Sequence, residues 1–277
     1  MAARKLGPVQ LAVRIVGGLA LIVVASFPVY YMLLTSLKPQ ALLLAQPPRF
    51  LFTPVLDNYV TLLRGGEFEL YYRNSLMVAL ASTAIGVLLG SMVAFALERG
   101  RLRGEHFWMF IILLPRSFPP VATIIPIFFA ARSLGLLDQV ITLVIFEAAV
   151  RLPLVIWVMR GFLRAVPDEL IDAAMLDGCS LSSAFFRIVF PIVLPGLAAV
   201  SVISFIDTWN AFLVPLVLTN LHGMTAPVGL MSYMETDEQL LWGVIAAGGI
   251  LTITPLIVVA VALRRFLLQG LTAGAIK

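Results

Sequence analysis

The sequence predicts an all-α, polytopic membrane protein with six transmembrane helices. Three observations carry that prediction. Of 277 residues, 61% are hydrophobic and 12% charged, and the mean hydropathy is +1.02. A water-soluble domain carries roughly twice that share of charge. Apolar runs of about 20 residues recur along the chain, the length a helix needs to cross a bilayer. Basic residues, finally, fall unevenly on alternate loops, as orientation in a membrane requires.

The apolar runs place six spans at roughly 13–34, 74–97, 107–131, 139–159, 191–218 and 242–263. The first is too long for a signal peptide and lacks a small-x-small cleavage site, so it is expected to be retained. The second carries Ser82, Gly86, Gly90 and Ala94, small residues four apart that let two helix backbones approach closely. That ladder is expected to pack tightly inside the bundle, against this chain or against another subunit. Pro115, Pro119, Pro120, Pro126, Pro153, Pro215 and Pro255 lie within later spans. Each removes a backbone donor and frees a carbonyl that water or a neighbouring helix must satisfy.

Orientation follows from Lys and Arg. One set of loops holds Arg4, Lys5, Arg14, Arg99, Arg101, Arg103, Arg160, Arg164, Arg187, Arg264, Arg265 and Lys277; the other holds Lys38, Arg49, Arg64, Arg73 and Arg132. Both termini are therefore expected in the cytoplasm, with 35–73, 132–138 and 219–241 outside. The net charge of +4 sets topology here and does not point to nucleic acid. Within the Pro-bearing segment 35–73, a short helix is expected around Asp57–Leu63.

The stretch "DELIDAAMLDGCSLSSAFFRIVFPIVLPG" (168–196) breaks the apolar pattern on the cytoplasmic side. Pro167 suits the first position of a helix, Asp168 and Glu169 suit its first turn, and Gly178 is placed to end it. At 100° per residue, Asp168, Glu169 and Asp172 fall on one side; Leu170, Ile171, Ala173 and Ala174 fall on the other. A second short amphipathic helix is expected after Ser180, before Pro191 opens the fifth span. A helix lying on anionic lipid would favour Lys and Arg. This one is acidic, and its Ala pair suits close approach by another protein with basic residues.

Charges inside spans are costly and mark functional candidates. Arg116, Glu147, Arg151 and Asp207 qualify. Glu147 and Arg151 stand four apart in the order that favours an ion pair, and Arg116 is placed to neutralise Asp207 across the bundle. Trp209 offers a flat aromatic face on which a ligand can stack, and Asn210 offers a donor and an acceptor. Interhelical hydrogen bonding is the plainer alternative for each.

The 168–196 stretch resembles the EAA loop of ATP-binding-cassette importer permeases, whose pattern runs E-A-A, three residues, G, nine residues, I-x-L-P. Here it reads Asp172-Ala173-Ala174, Gly178, Ile188 and Phe190-Pro191, with Cys179 where Ala is common. "PVATIIPIFFAARSLGLLD" (120–138), "TWNAFLVPLVLT" (208–219) and "GLTAGAIK" (270–277) are similar to the carbohydrate-uptake branch, in the subunit class of the second maltose permease. Ala211 replaces that branch's usual polar residue after Trp-Asn.

The resemblance implies a type I importer fold in one permease domain over 1–277. Its parts would be an extra N-terminal helix (13–34), a five-helix core (74–263), a cytoplasmic EAA coupling loop (167–190) and a cytoplasmic tail (264–277). It implies a second homologous permease, two ATPase subunits that bind ATP and Mg, and an extracytoplasmic solute-binding protein. Glu169, Asp172, Ala173, Ala174, Asp177, Gly178 and Pro191 would couple to the ATPase. Sugar is the implied cargo, with a glycerol phosphate ester as the alternative. The place would be the cell membrane.

No G-x-x-x-x-G-K-[ST] loop is present, so any nucleotide of the P-loop kind is expected on another polypeptide. No H-E-x-x-H, G-x-S-x-G or Cys/His cluster is present either, which argues against a membrane-embedded enzyme. His106 and His222 lie far apart, and Cys179 has no second cysteine to pair with.

Overall fold

The computed structural model describes residues 7–64, 66–100, 104–234 and 241–273. Arg4, Lys5, Arg101, Arg103 and the last four residues of the expected tail lie outside the described residues. Helix α1 is Pro8–Ser36, followed by the short α2 (Gln40–Leu43) and α3 (Asp57–Leu63). Then come α4 (Glu67–Arg99), α5 (Glu105–Leu113), α6 (Pro120–Ser133) and α7 (Val140–Leu163). They are followed by α8 (Asp168–Leu176), α9 (Leu181–Ile192), α10 (Leu194–Trp209) and α11 (Leu213–Leu218). The last two are α12 (Ala226–Ser232) and α13 (Trp242–Ala273). Among the described residues, four helices are long and apolar enough to cross a membrane, or six when each of two bent pairs is taken as one span.

The expected third and fifth spans are not continuous helices. Between α5 and α6 the chain passes through a 3-10 turn, Leu114–Ser117, and the two helices meet at 91°. Pro115, Pro119 and Pro120 explain the break: three residues without an N–H fall within six positions. α9 and α10 meet at 81° around Val193, between Pro191 and Pro195, and α9 widens into a π-turn over Phe185–Val189. α10 then stops at Trp209. Pro126, Pro153 and Pro255 sit inside helices that run on. A single proline is thus accommodated here, whereas closely spaced prolines break the helix.

The residues divide into two compact units, Met1–Gly65 with Leu230–Ile253, and Gly66–Gly229 with Thr254–Lys277. In the first unit, the α3 helix expected from sequence is clamped to the end of α1. Asn58 Nδ2 donates to the carbonyls of Ser36 and Lys38, each at 2.9 Å. The ammonium of Lys38 lies over the rings of Tyr31, Phe50 and Phe52 at 5.7–5.8 Å. This cation–π contact offsets the desolvation of a buried lysine. The apolar side chains of α1 itself stay exposed along the helix within this unit.

The second unit is built on α4 packed along α7, with α10 against both. The small-residue ladder makes this possible. A Cβ added at Gly90 would stand 2.6 Å from Val155 Cγ1, and one at Gly86 would stand 3.4 Å from the Ala148 carbonyl oxygen. The close approach expected of the ladder is therefore made within the chain. One end of this unit holds a core of Phe95, Met159, Leu163, Val166, Phe185, Val189 and Leu197, and α8 packs onto it through Ile171 and Ala174.

Candidate functional site

α8 has the acidic first turn the sequence calls for, but Pro167 stands just before the helix and Asp168 is its first residue. A helix of nine residues is too short to hold itself in water. Burial of Ile171 and Ala174 anchors it, the isoleucine contributing about 2 kcal/mol. The end is a Schellman turn: Gly178 N–H donates to Met175 O and Cys179 N–H to Ala174 O, each at 3.0 Å. Gly178 has φ +84°, a left-handed conformation that suits glycine. Ser180 then caps α9, its Oγ accepting from Ser183 N–H at 3.2 Å.

The face expected to be wholly apolar is divided. Ile171 and Ala174 point into the core, while Leu170, Ala173 and Met175 are exposed and Leu176 is 89% exposed. Asp172, Glu169 and Asp177 are exposed beside them. The outward surface is thus a small apolar patch with an acidic rim. Met175 and Leu176 were not singled out from sequence. The angular step alone gave no centre for the buried face, which the core residues of α4, α7 and α9 set. Pro191 lies at the other end of the loop, exposed, in the last turn of α9.

Beneath α8 sits a cavity of about 290 Å³ lined by Glu98, Arg99, Asp168, Ile171, Asp172, Met175 and Leu181. Three of its lining residues, Glu98, Arg99 and Asp168, take part in ion pairs. Glu98 pairs with Arg160 and Arg164, and Glu105 reaches the same two guanidinium groups at 3.2 and 3.6 Å. Arg99 pairs with Asp168.

The intramembrane candidates separate. Arg151 Nη2 lies 2.8 Å from Glu147 Oε2, an i,i+4 pair in which Glu147 is 1% exposed. Asp207, exposed on α10, is within electrostatic reach of Glu147. Asp207 and Arg116 form no ion pair. Arg116 is exposed at the break between α5 and α6, where residues 115–121 are all exposed. Inside a bilayer, irregular backbone is tolerated against protein or water and not against lipid.

Trp209 is 1% exposed, edge-on to Tyr72 at 5.6 Å and stacked with Phe205 at 5.9 Å. It is part of the packed bundle in this conformation. Asn210 is exposed and turns its Nδ2 back onto the Ile206 carbonyl at 2.8 Å, closing the end of α10.

One organising residue was not anticipated. Asp138, between α6 and α7, has φ +59° and accepts four consecutive backbone N–H groups. Asn220, Leu221 and Gly223 donate to Oδ1 and His222 to Oδ2, at 2.9–3.1 Å. Burial alone would raise the carboxyl's pKa, but these donors outweigh it and lower the value to about 2. Asn74 Nδ2 holds the far side of the same turn, donating to the carbonyls of His222 at 2.7 Å and Met224 at 2.9 Å.

Comparison with known proteins agrees with this architecture. The probable ABC transporter permease protein y4oR of Sinorhizobium fredii is 35% identical over 251 residues, 91% of this chain and 90% of the relative. The trehalose transport system permease protein SugB of Mycobacterium tuberculosis is 33% identical, covering 91% of this chain and 93% of the relative. The sulfoquinovosyl glycerol transport system permease protein SmoH of Agrobacterium fabrum is 32% identical, covering 95% and 93%. The fold matches a crystal structure of a bacterial ABC transporter involved in the import of the acidic polysaccharide alginate, with TM-score 0.79, 22% identity, and coverage of 95% of this chain and 99% of that one. Residues 86–272 match the family model described as binding-protein-dependent transport system inner membrane component. With its bent and straight apolar helices and this match across most of its length, the chain is a multi-pass membrane protein that belongs to that transport family.

Proposed function

We propose that the chain is one permease subunit of an ATP-driven sugar importer, forming half of the membrane pathway and receiving force through α8. The observation that carries this is the outward face of α8. A helix pinned to its own core by Ile171 and Ala174 presents Leu176, Met175 and Ala173 inside an acidic rim. Such a patch fits a protein groove with basic residues better than anionic lipid. The groove belongs to an ATPase partner, which also holds ATP and Mg. The basic-residue bias supports a cytoplasmic position for α8 and both termini.

The family's dependence on a binding protein supports an extracytoplasmic protein that delivers solute to the outer segments. A second, homologous permease completes the pathway. Relatives named for trehalose and for sulfoquinovosyl glycerol support a saccharide or glycoside as cargo. Arg116, Asp207 and Asn210, exposed at the helix breaks, line the route. Glu147 with Arg151 fixes the charge behind it, and Trp209 fixes the position of the α10 end.

The test is Gly178→Asp in the assembled transporter. No atom lies within 4 Å of the added Cβ, so the change acts through the left-handed backbone and the new charge. ATPase stimulation by the solute-binding protein should fall at least fivefold while the helices still insert. Unchanged stimulation would remove α8 from the coupling path.

A further inference from the structure

We propose that Arg99, the last residue of α4, is a positioning residue that fixes the angle between α7 and α8, so that α8 moves as one piece with the α4–α7 pair. The proposal rests on the reading of α8 as the ATPase-docking helix. The geometry is specific. Arg99 reaches across from α4 into the turn between α7 and α8. One guanidinium arm donates to the carbonyls of Leu163, at 3.2 Å, and of Val166. The other arm pairs with Asp168, the first residue of α8. A single planar group therefore closes both sides of the turn 163–168. It caps the C-terminal carbonyls of one helix with positive charge and binds an acid in the first turn of the next, each the favoured partner for that helix end.

Burial decides which contact matters. The Arg99 side chain is 13% exposed and Asp168 is 67% exposed. An ion pair so open on one side is screened and worth little. The two carbonyl bonds lie on the buried side and hold the turn. A planar fork of donors is required to reach two carbonyls and a carboxylate together, which an ammonium does not offer in the same geometry. The neighbouring network strengthens the case: Glu98 ties α4 to α7 through Arg160 and Arg164, and Glu105 ties α5 to the same pair. Arg99 is the group that extends this frame to α8. Without it, α8 would remain docked through Ile171 and Ala174 but could swivel about the turn 164–167.

The test uses the whole transporter with both permeases, the ATPases and the solute-binding protein. Amide hydrogen exchange is measured with and without MgATP plus vanadate. In the wild type, trapping should change exchange along α4 and α7. In Arg99→Gln the change along α4 and α7 should fall roughly tenfold, the scale of a coupling free energy between sites, while ATP hydrolysis measured without the solute-binding protein stays within about twofold. Arg99→Lys should recover part of the response, and Asp168→Asn should leave most of it.

A parallel arm crosslinks Leu176→Cys to the ATPase in a Cys179→Ser background. A wild-type exchange response in Arg99→Gln, with the crosslink formed, overturns the positioning role and leaves the docking reading intact. Absence of the crosslink overturns both. Should Arg99→Gln fail to assemble, the order of Arg99→Lys and Asp168→Asn decides: a larger loss in Asp168→Asn overturns the proposal.

Discussion

Neutralising Asp138 should loosen the turn at residues 220–223 and little else. Its carboxylate collects the N–H groups of residues 220–223. The fall from the ordinary value of 3.8 to about 2 corresponds to about 2 kcal/mol of preference for the charged form. The carboxylate is only partly buried, so solvent screening brings its contribution to about 1 kcal/mol. Asp138→Asn keeps the shape and one acceptor, and should lose that amount. Asp138→Ala removes every acceptor. Asn220, Leu221 and His222 are exposed, so water replaces the lost partner there, but the Gly223 N–H is buried. Leaving it unsatisfied adds roughly 1–3 kcal/mol.

Amide hydrogen exchange over residues 218–225 in detergent reads this directly. Asp138→Asn should accelerate exchange about fivefold and Asp138→Ala by roughly thirtyfold or more, with residues 140–163 unaffected. The pH dependence has a fixed sign. A lowered carboxyl pKa stabilises the folded turn above the unfolded value near 3.8 and loses that effect as pH falls through about 2. The gap between wild type and Asp138→Asn should therefore be constant from pH 8 to 5 and close only in strong acid. Unaltered exchange at 220–223 in Asp138→Ala would refute the reasoning.

Two further outcomes are expected. Glu147→Gln leaves the largely buried Arg151 without its 2.8 Å partner and should lower the thermal midpoint in detergent, at a cost of about 3–5 kcal/mol. Glu147→Gln with Arg151→Met should recover most of it, and a wild-type midpoint in the single variant would show that the pair has no structural weight. Asp207→Asn with Asn210→Ala should lower solute uptake at least tenfold while the complex assembles. Normal uptake would take both residues off the route.

Legibility tracked the range of the interaction. The helix Asp57–Leu63 and the stop at Gly178 were readable because capping, acidic first turns and a left-handed glycine are local signals. The Ser82–Ala94 ladder was readable as a close-packing face, and the partners of Gly86 and Gly90 turned out to lie on α7. The breaks at 114–119, at Val193 and at 210–212 were not located, although the prolines beside the first two were visible. Pro126, Pro153 and Pro255 stand inside helices that run on, so the signal was the close spacing of prolines and not their presence.

At the candidate site, Asp172, Ala173 and Gly178 were named through their spacing in the resemblance to the EAA loop. Arg99, counted only as a topogenic charge, was not, because its partners Leu163 and Val166 are backbone carbonyls over 60 positions away. Asp138 was missed for the same reason. It is one acid in a loop, and its four donors come from 82 to 85 residues further on.

The interrupted helix around Arg116 bears on the life of the protein before assembly. Its unwound peptide groups need a companion chain or a wet channel beside them, and a solitary copy in the bilayer has neither. Such an orphan should be unstable there and fall to quality-control proteases, so that subunit numbers in the cell are balanced by turnover as much as by synthesis.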